Sequence, residues 1–213
     1  MAEFVLHCFA QSGNAYKAAL MLALCGADWR PRFVDYFNGE TRTPEYRAIN
    51  AMGEVPVLEA EGRMISQSGV ILHHLARRFG KFVPEGEAEA EEVLRWILFD
   101  NHKLTSYTAT LRWFRTFARD PADPAVTAFL EGRARAAWKV LDGHLAGRDF
   151  VLGAKPTIAD ISLCSYLFWP EEIGVDWADG YPQIQAWLGR IRALPGWTPA
   201  YELMPGHPLP GKG

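Results

Sequence analysis

Three short stretches in the first third of the chain carry groups able to hold an anion or a peptide backbone. Ser12-Gly13-Asn14 stands between a run of β-formers and a run of Ala, Leu and Met, where a helix should begin. A helix amino terminus offers unpaired N–H groups and about half a unit of positive charge, which favours an anion there. A hydroxyl or amide at that spot can donate a further hydrogen bond, and Ser12 or Asn14 would equally serve to cap the helix. Glu54-Val55-Pro56-Val57 puts a proline where a strand opens, which is tolerated at a bend or an edge. A cis Val55-Pro56 bond would suit that position, leaving the Val55 N–H and C=O for the backbone of a ligand. Gln67-Ser68 opens a helical pattern in which Ser68 is the expected cap, beside N–H groups able to take a carboxylate.

Other chemistries find little support. His73 and His74 are adjacent, point to different helix faces and cannot chelate as an i, i+4 pair would. No H-E-x-x-H, G-x-S-x-G, P-loop or G-x-G-x-x-G occurs, so no metal site is expected. The three Cys lie far apart with no C-x-x-C, which excludes a disulfide scaffold or zinc ribbon and fits a reducing compartment. Cys8 falls inside a strand and reads as buried and inert. His102 and Lys103 read as a solvated or interface face. A net charge of −3 argues against holding nucleic acid or a membrane by bulk charge. The longest apolar run, Ala18 to Cys25, is too short to span a bilayer, and no secretory pattern opens the chain. With 213 residues, 49% of them hydrophobic and eight of them Trp, a cytoplasmic globular protein of one or two domains is expected.

The elements that must carry the three stretches follow from pattern. Phe4 to Phe9 predicts a strand, Ala15 to Cys25 a helix closed by Gly26, and Trp29 to Val34 a second strand at parallel spacing. Thr43-Pro44-Glu45 starts a short helix ending near Asn50. Val55 to Glu59 and Arg63 to Ser66 predict a hairpin about Glu61-Gly62. Ile71, Leu72, Leu75 and Phe79 then line one helix face ending at Gly80. The order β-α-β-α-β-β-α predicts an α/β domain with a mixed four-stranded sheet over residues 1–80. Beyond a linker with Pro84 and Gly86 the pattern is helical: about Ala88 to Ala118, Ala125 to Leu145 after the Asp120–Pro124 break, Thr157 to Trp169, and Pro182 to Leu194. A Pro-rich tail from Met204 reads as irregular. Residues 88–213 are expected as an all-α domain, in which Thr157 and Asp160 form a capping box.

In this order the first half resembles the thioredoxin-like half of the cytosolic glutathione transferases, and the helical half is similar to that family's carboxyl-terminal domain. Asn50-x-x-Gly53-x-Val55-Pro56, Gln67-Ser68-x-x-Ile71 and Thr157-Ile158-Ala159-Asp160 carry the likeness. It implies glutathione as cosubstrate. Val55, before a cis Pro56, would pair with the cysteinyl main chain, and Gln67 and Ser68 would hold the γ-glutamyl amine and carboxylate. Arg42 stands where relatives place a basic residue near the glycine carboxylate, although a solvated surface Arg is an equal reading. Ser12 would donate to the thiol, with Asn14 sharing or replacing it. Tyr107, Trp113, Phe114 and Trp169 would lie near a cleft between the halves that receives a small hydrophobic electrophile, although aromatics at helical spacing also build cores.

Two positions depart from the family: Ala51-Met52 replaces the common Pro after Asn50, and Gln67 stands where many members have Glu. Tyr16 lies a full turn into the helix, so the likeness is to a Ser-type bacterial-like member. It implies a homodimeric detoxifying transferase that activates the glutathione thiolate. Glutathione-dependent isomerisation, dehalogenation or peroxide reduction would suit the same scaffold, as would a non-catalytic binding or regulatory role.

Overall fold

The computed structural model describes residues 2–209 and divides them into two compact units. The first opens with β1 (Phe4–Cys8), buried along most of its length, and α1 (Gly13–Cys25). Gly26 ends α1 in the left-handed conformation, φ 69°, which only glycine adopts without steric cost. β2 (Trp29–Phe33) pairs parallel to β1 and lies at the sheet edge, where Pro31 forfeits no inner ladder bond. Thr43 caps α2 (Pro44–Ile49), its Oγ1 accepting from the Tyr46 N–H at 3.2 Å. β3 (Val57–Ala60) and β4 (Arg63–Ser66) form a hairpin whose turn residues Glu61 and Gly62 have φ 52° and 71°. That pair of positive φ angles matches the twist of the flanking strands. α3 (Ser68–Phe79) buries Ile71, Leu72, Leu75 and Ala76. The sheet order is β2-β1-β3-β4, with β1–β2 parallel and the other pairs antiparallel. This is the expected mixed sheet.

The second unit is helical: α4 (Gly86–Phe99), α5 (Thr105–Thr116), α6 (Pro124–Leu145), α7 (Ile158–Cys164), α8 (Pro170–Ile173) and α9 (Pro182–Arg192). The stretch expected to run unbroken from Ala88 to Ala118 is instead two helices joined by a π-helical segment, Asp100–Leu104. The wider turn carries Asp100 into the core, where it accepts from Thr105 Oγ1 at 2.6 Å and from Ser162 Oγ of α7 at 2.5 Å. The capping box at α7 forms as expected. Among the described residues no helix is long and apolar enough to cross a membrane.

The boundary expected to leave everything after residue 88 in the helical half does not hold for the tail. The described residues from Leu194 onward cluster with the first unit. α1 is buried on nearly all sides, and this tail supplies part of its cover. Tyr16 Oη donates to the Thr198 carbonyl at 2.8 Å. A Cβ on Gly196 would lie 2.8 Å from the Ala23 carbonyl, so close an approach needs glycine. α10 (Ala200–Leu203) follows, and Met204 is buried. Residues 210–213 of the expected Pro-rich tail lie outside the described residues.

Two buried groups yield stability predictions. Asp160 is fully buried: Oδ1 accepts from the Val151 N–H at 2.8 Å and Trp187 Nε1 at 2.9 Å, and Oδ2 from the Thr157 N–H at 2.8 Å. Burial pushes its carboxyl up from the usual range, while these donors oppose the shift. Asp160→Ala strands those donors and should cost roughly 3–5 kcal/mol in urea unfolding. His7 is buried with Nδ1 unpartnered, and burial, then the neighbouring Arg32, hold its pKa below the ordinary value. A histidine depressed in the fold takes up a proton on unfolding, so the stability it lends is present above about pH 6.5 and lost as pH falls. Unfolding free energy should therefore fall less steeply from pH 7 to pH 5 in His7→Leu than in the wild type; equal slopes would remove His7 from the effect.

Candidate functional site

Strand register brings the three stretches to one end of the sheet. His7 pairs with Val57, and Val57 with Ser66, making one rung across β1, β3 and β4, while Cys8 pairs with Phe33 of β2. β1, β2 and β4 leave the sheet at this end and β3 enters there. The segments that hold Ser12, Arg42, Val55 and Gln67 all issue from that edge.

Ser12 occupies the N-cap of α1, its Oγ accepting from the Ala15 N–H at 3.1 Å. Its own N–H closes a turn onto the Phe9 carbonyl at 3.0 Å. The capping bond uses an oxygen lone pair and leaves the hydroxyl proton to be donated, so capping and anion binding are compatible. Asn14, half-buried in the first turn, has its Oδ1 enclosed without a partner. The peptide N–H groups of Gly13 and Asn14 have no partner among the described residues.

The Val55-Pro56 bond is cis. β3 begins only at Val57, so Val55 stands outside the ladder with its N–H and C=O available. The loop before it is fixed from below. Asn50 Nδ2 and Tyr46 Oη both donate to the Glu54 carbonyl, at 2.9 and 3.0 Å, and Asn50 Oδ1 accepts from the Met52 N–H at 3.2 Å. Gly53, φ 64°, lies so close to the segment before Arg42 that a Cβ would sit 2.8 Å from the Thr41 carbonyl. Val55 itself packs on the buried Val34, Tyr46 and Val57. Arg42 ends a 3-10 turn and is exposed.

Gln67, not Ser68, holds the cap position of α3, and it makes no side-chain capping bond. Its φ is positive, 68°, with ψ 117°, a sparsely populated region that costs a non-glycine residue about 1–3 kcal/mol. The Gln67 carbonyl accepts from the Ile71 N–H at 3.0 Å, while Ser68 is buried as the first helical residue. The N–H groups of Ser68, Gly69 and Val70 have no partner among the described residues. Gln67 Nε2 donates to Glu54 Oε2 at 3.1 Å and approaches Met52 Sδ at 2.9 Å, so both residues flanking Gly53 reach it.

The aromatic candidates of the second unit do not form one cluster. Tyr107 accepts from Arg133 Nη2 of α6 at 3.3 Å and meets Phe129 edge-on at 6.4 Å. Trp113 is 38% exposed and Phe114 half-buried. Trp169 is buried beneath Arg112, whose guanidinium carbon lies 3.7 Å from the ring centroid and whose Nη2 pairs with Glu172 at 2.6 Å. Burial pushes the Cys8 thiol up to about 12 and Cys25 up to about 11, as inert thiols require.

Comparison with known proteins decides the family. The description "Glutathione S-transferase, N-terminal domain" matches residues 11–78, and "Glutathione S-transferase, C-terminal domain" matches residues 123–190. The structure of a possible glutathione S-transferase from Rhodopseudomonas palustris is 32% identical, with a TM-score of 0.86 over 93% of this chain and 98% of that one. The chain belongs to the glutathione S-transferase family. Glutathione S-transferase 2 of Schizosaccharomyces pombe is 25% identical over 95% of this chain and 96% of its own. A glutathione transferase family member from Pseudomonas fluorescens Pf-5, solved with two glutathione bound, shares the fold at 22% identity, covering 98% of this chain and 94% of that one, with a TM-score of 0.81.

As in the family, the first unit is thioredoxin-like and the second all-α. Sequence reasoning missed Tyr46 and Glu54 as parts of the Val55 loop. Their aromatic and acidic side chains carry no signal in isolation, because the contacts that matter run through the Glu54 carbonyl and across to Gln67. The Ser12 cap makes a direct prediction: Ser12→Ala should cost about 1 kcal/mol in urea unfolding. Asn14→Ala should shift stability by less than about 0.5 kcal/mol, because its Oδ1 has no bond to lose.

Proposed function

We propose that the chain is a Ser-type bacterial-like glutathione transferase that binds glutathione at the end of its four-stranded sheet and holds the thiol ionised for attack on small hydrophobic electrophiles. The observation that supports this most is the convergence, by strand register, of an unladdered Val55 main chain with two helix amino termini that keep N–H groups to spare. Val55 pairs with the cysteinyl backbone. Gln67 and Ser68 hold the γ-glutamyl end, and Arg42 receives the glycine carboxylate. Trp113, the exposed one of the aromatic candidates, meets the electrophile together with Tyr107 and Phe114, which are half-buried, while Trp169 is buried under Arg112. The relative solved with glutathione supports the choice of cosubstrate. A cytoplasmic homodimer is part of the same reading.

The chemistry asked of the site is modest. A free cysteine thiol has a pKa near 8.5, so about 3% is thiolate at pH 7. A hydroxyl donor together with a helix terminus can lower that by about two units, worth about 2.7 kcal/mol. Ser12 acts as donor and not as base, because its own hydroxyl ionises far above neutrality. The thiolate sulfur then bonds to the electrophilic carbon as the leaving group departs with its electron pair.

Titrating the bound thiol by its ultraviolet absorbance tests the assignment. Ser12→Ala should raise the bound-thiol pKa by about one to two units and cut conjugation at pH 6.5 by about 5- to 50-fold, with glutathione affinity changed by less than about threefold. An unchanged pKa in Ser12→Ala with a raised one in Asn14→Ala would move the role to Asn14. Ser68→Ala should instead weaken glutathione binding by about 10-fold in calorimetry and leave the bound-thiol pKa in place. Binding of glutathione with no turnover across a panel of electrophiles would assign a binding role in place of catalysis.

A further inference from the structure

The three residues that lead into Ser12 are each bound by the same distant segment, Pro205–His207. The Ala10 N–H donates to the Pro205 carbonyl at 2.8 Å. Gln11 Nε2 donates to the His207 carbonyl at 2.6 Å, and Gln11 Oε1 accepts from the His207 N–H at 3.1 Å. The Phe9 ring meets the His207 ring edge-on at 5.7 Å, and His207 stacks on Phe37 at 4.1 Å and 12°. Between the two anchoring residues, Gly206 passes so close that a Cβ would lie 2.8 Å from Gln11 Oε1 and 2.9 Å from Ala10 Cβ.

This is more than a surface contact. Gln11 is buried, and its amide acts as a peptide group does, giving one hydrogen and taking another from the same residue. A carboxylate, an ammonium or an apolar side chain could satisfy only one of those bonds or neither. The Ser12 N–H closes this turn onto the Phe9 carbonyl, so the bonds to Phe9, Ala10 and Gln11 fix the place from which Ser12 and the first N–H groups of α1 project. A donor stabilises a developing anion in proportion to how well it is held in place beforehand.

We propose that Gln11 and the Pro205–His207 segment are positioning elements of the thiol-activating site. They hold the Phe9–Ser12 turn rigid so that the Ser12 hydroxyl stays aimed at the bound sulfur. The proposal rests on the glutathione reading above. It adds residues that touch neither the tripeptide nor the electrophile.

The test uses Gln11→Ala, which removes both amide bonds, and Gly206→Ala, which pushes the tail away and leaves Gln11 intact. Two readouts are needed: amide hydrogen exchange over residues 9–15 without ligand, and titration of the bound thiol with glutathione affinity measured beside it. Both variants should speed exchange at the turn by about tenfold or more while β1 and β3 keep wild-type protection. Both should raise the bound-thiol pKa by about one unit, a tenfold smaller thiolate ratio, with affinity for glutathione changed by less than about threefold. His207→Ala keeps both main-chain bonds and should show a smaller shift in the same direction. If Gln11→Ala does not fold, Gly206→Ala carries the test alone. A bound-thiol titration unchanged in the folded variants overturns the proposal whatever the exchange shows. A wild-type chain that does not bind glutathione overturns the functional reading instead, and the exchange data then decide separately whether the tail fixes the turn.

Discussion

The candidate site depends on the antiparallel register of β3 against β1. Leu6 faces Leu58, both wholly buried, and that pairing fixes His7 opposite Val57 and, through β4, Ser66 on the same rung. Side chains alternate faces along a strand, so a slip of one residue would put Leu58 on the opposite face and bring Val57 or Glu59 to the place opposite Leu6. The burial of a few aliphatic side chains therefore locates the polar groups: Val55 lies just before the rung and Gln67 just after it. Each of the buried aliphatic side chains Leu6, Leu58 and Val57 is worth about 1.5–3 kcal/mol, more than a typical neutral hydrogen bond contributes.

Around that rung, each polar feature is supported from the side away from the site. Asn50 and Tyr46 hold the Glu54 carbonyl, so the Val55 peptide is fixed without spending its own N–H or C=O. Thr41 presses on Gly53 and ties the Arg42 segment to the same loop. Gln67 takes up a positive φ, and the N–H groups after it are left without a partner among the described residues. On the α1 side the support comes from far along the chain, through Gln11 and the returning tail. Groups left unpaired at the sheet edge are thus held by the paired Glu54 carbonyl and Gln11 amide beside them. Such an arrangement places donors ahead of a ligand and avoids reorganising them when it arrives.

The second unit is organised differently. Buried polar groups there find partners within the unit: Asp160 accepts from three N–H groups, Asp100 from the Thr105 and Ser162 hydroxyls, and Arg112 pairs with Glu172 over the Trp169 ring. Closed polar networks of this kind fix helix positions. The four aromatic residues expected to meet a substrate belong partly to such packing, and those on α5 differ in how far they reach solvent.

Sequence pattern alone determined the element order, the mixed sheet, the hairpin at Glu61-Gly62, the caps at Thr43 and Thr157, and Ser12, Val55 and Ser68 as groups worth watching. These follow from local physics: strand and helix periodicity, the φ preferences of Gly and Pro, and the few residues that satisfy a helix terminus. Three things were decided only by tertiary structure. The π-helical turn exists because Ser162, distant in sequence, draws Asp100 inward. The cap of α3 falls on Gln67 because β4 delivers the chain at an angle that a residue of positive φ must absorb. The tail joins the first unit because Gly196 and Thr198 meet α1 at Ala23 and Tyr16, and Gly206 packs on Ala10 and Gln11 ahead of it. In each case the controlling contact joins residues far apart along the chain, and no local propensity encodes the partner.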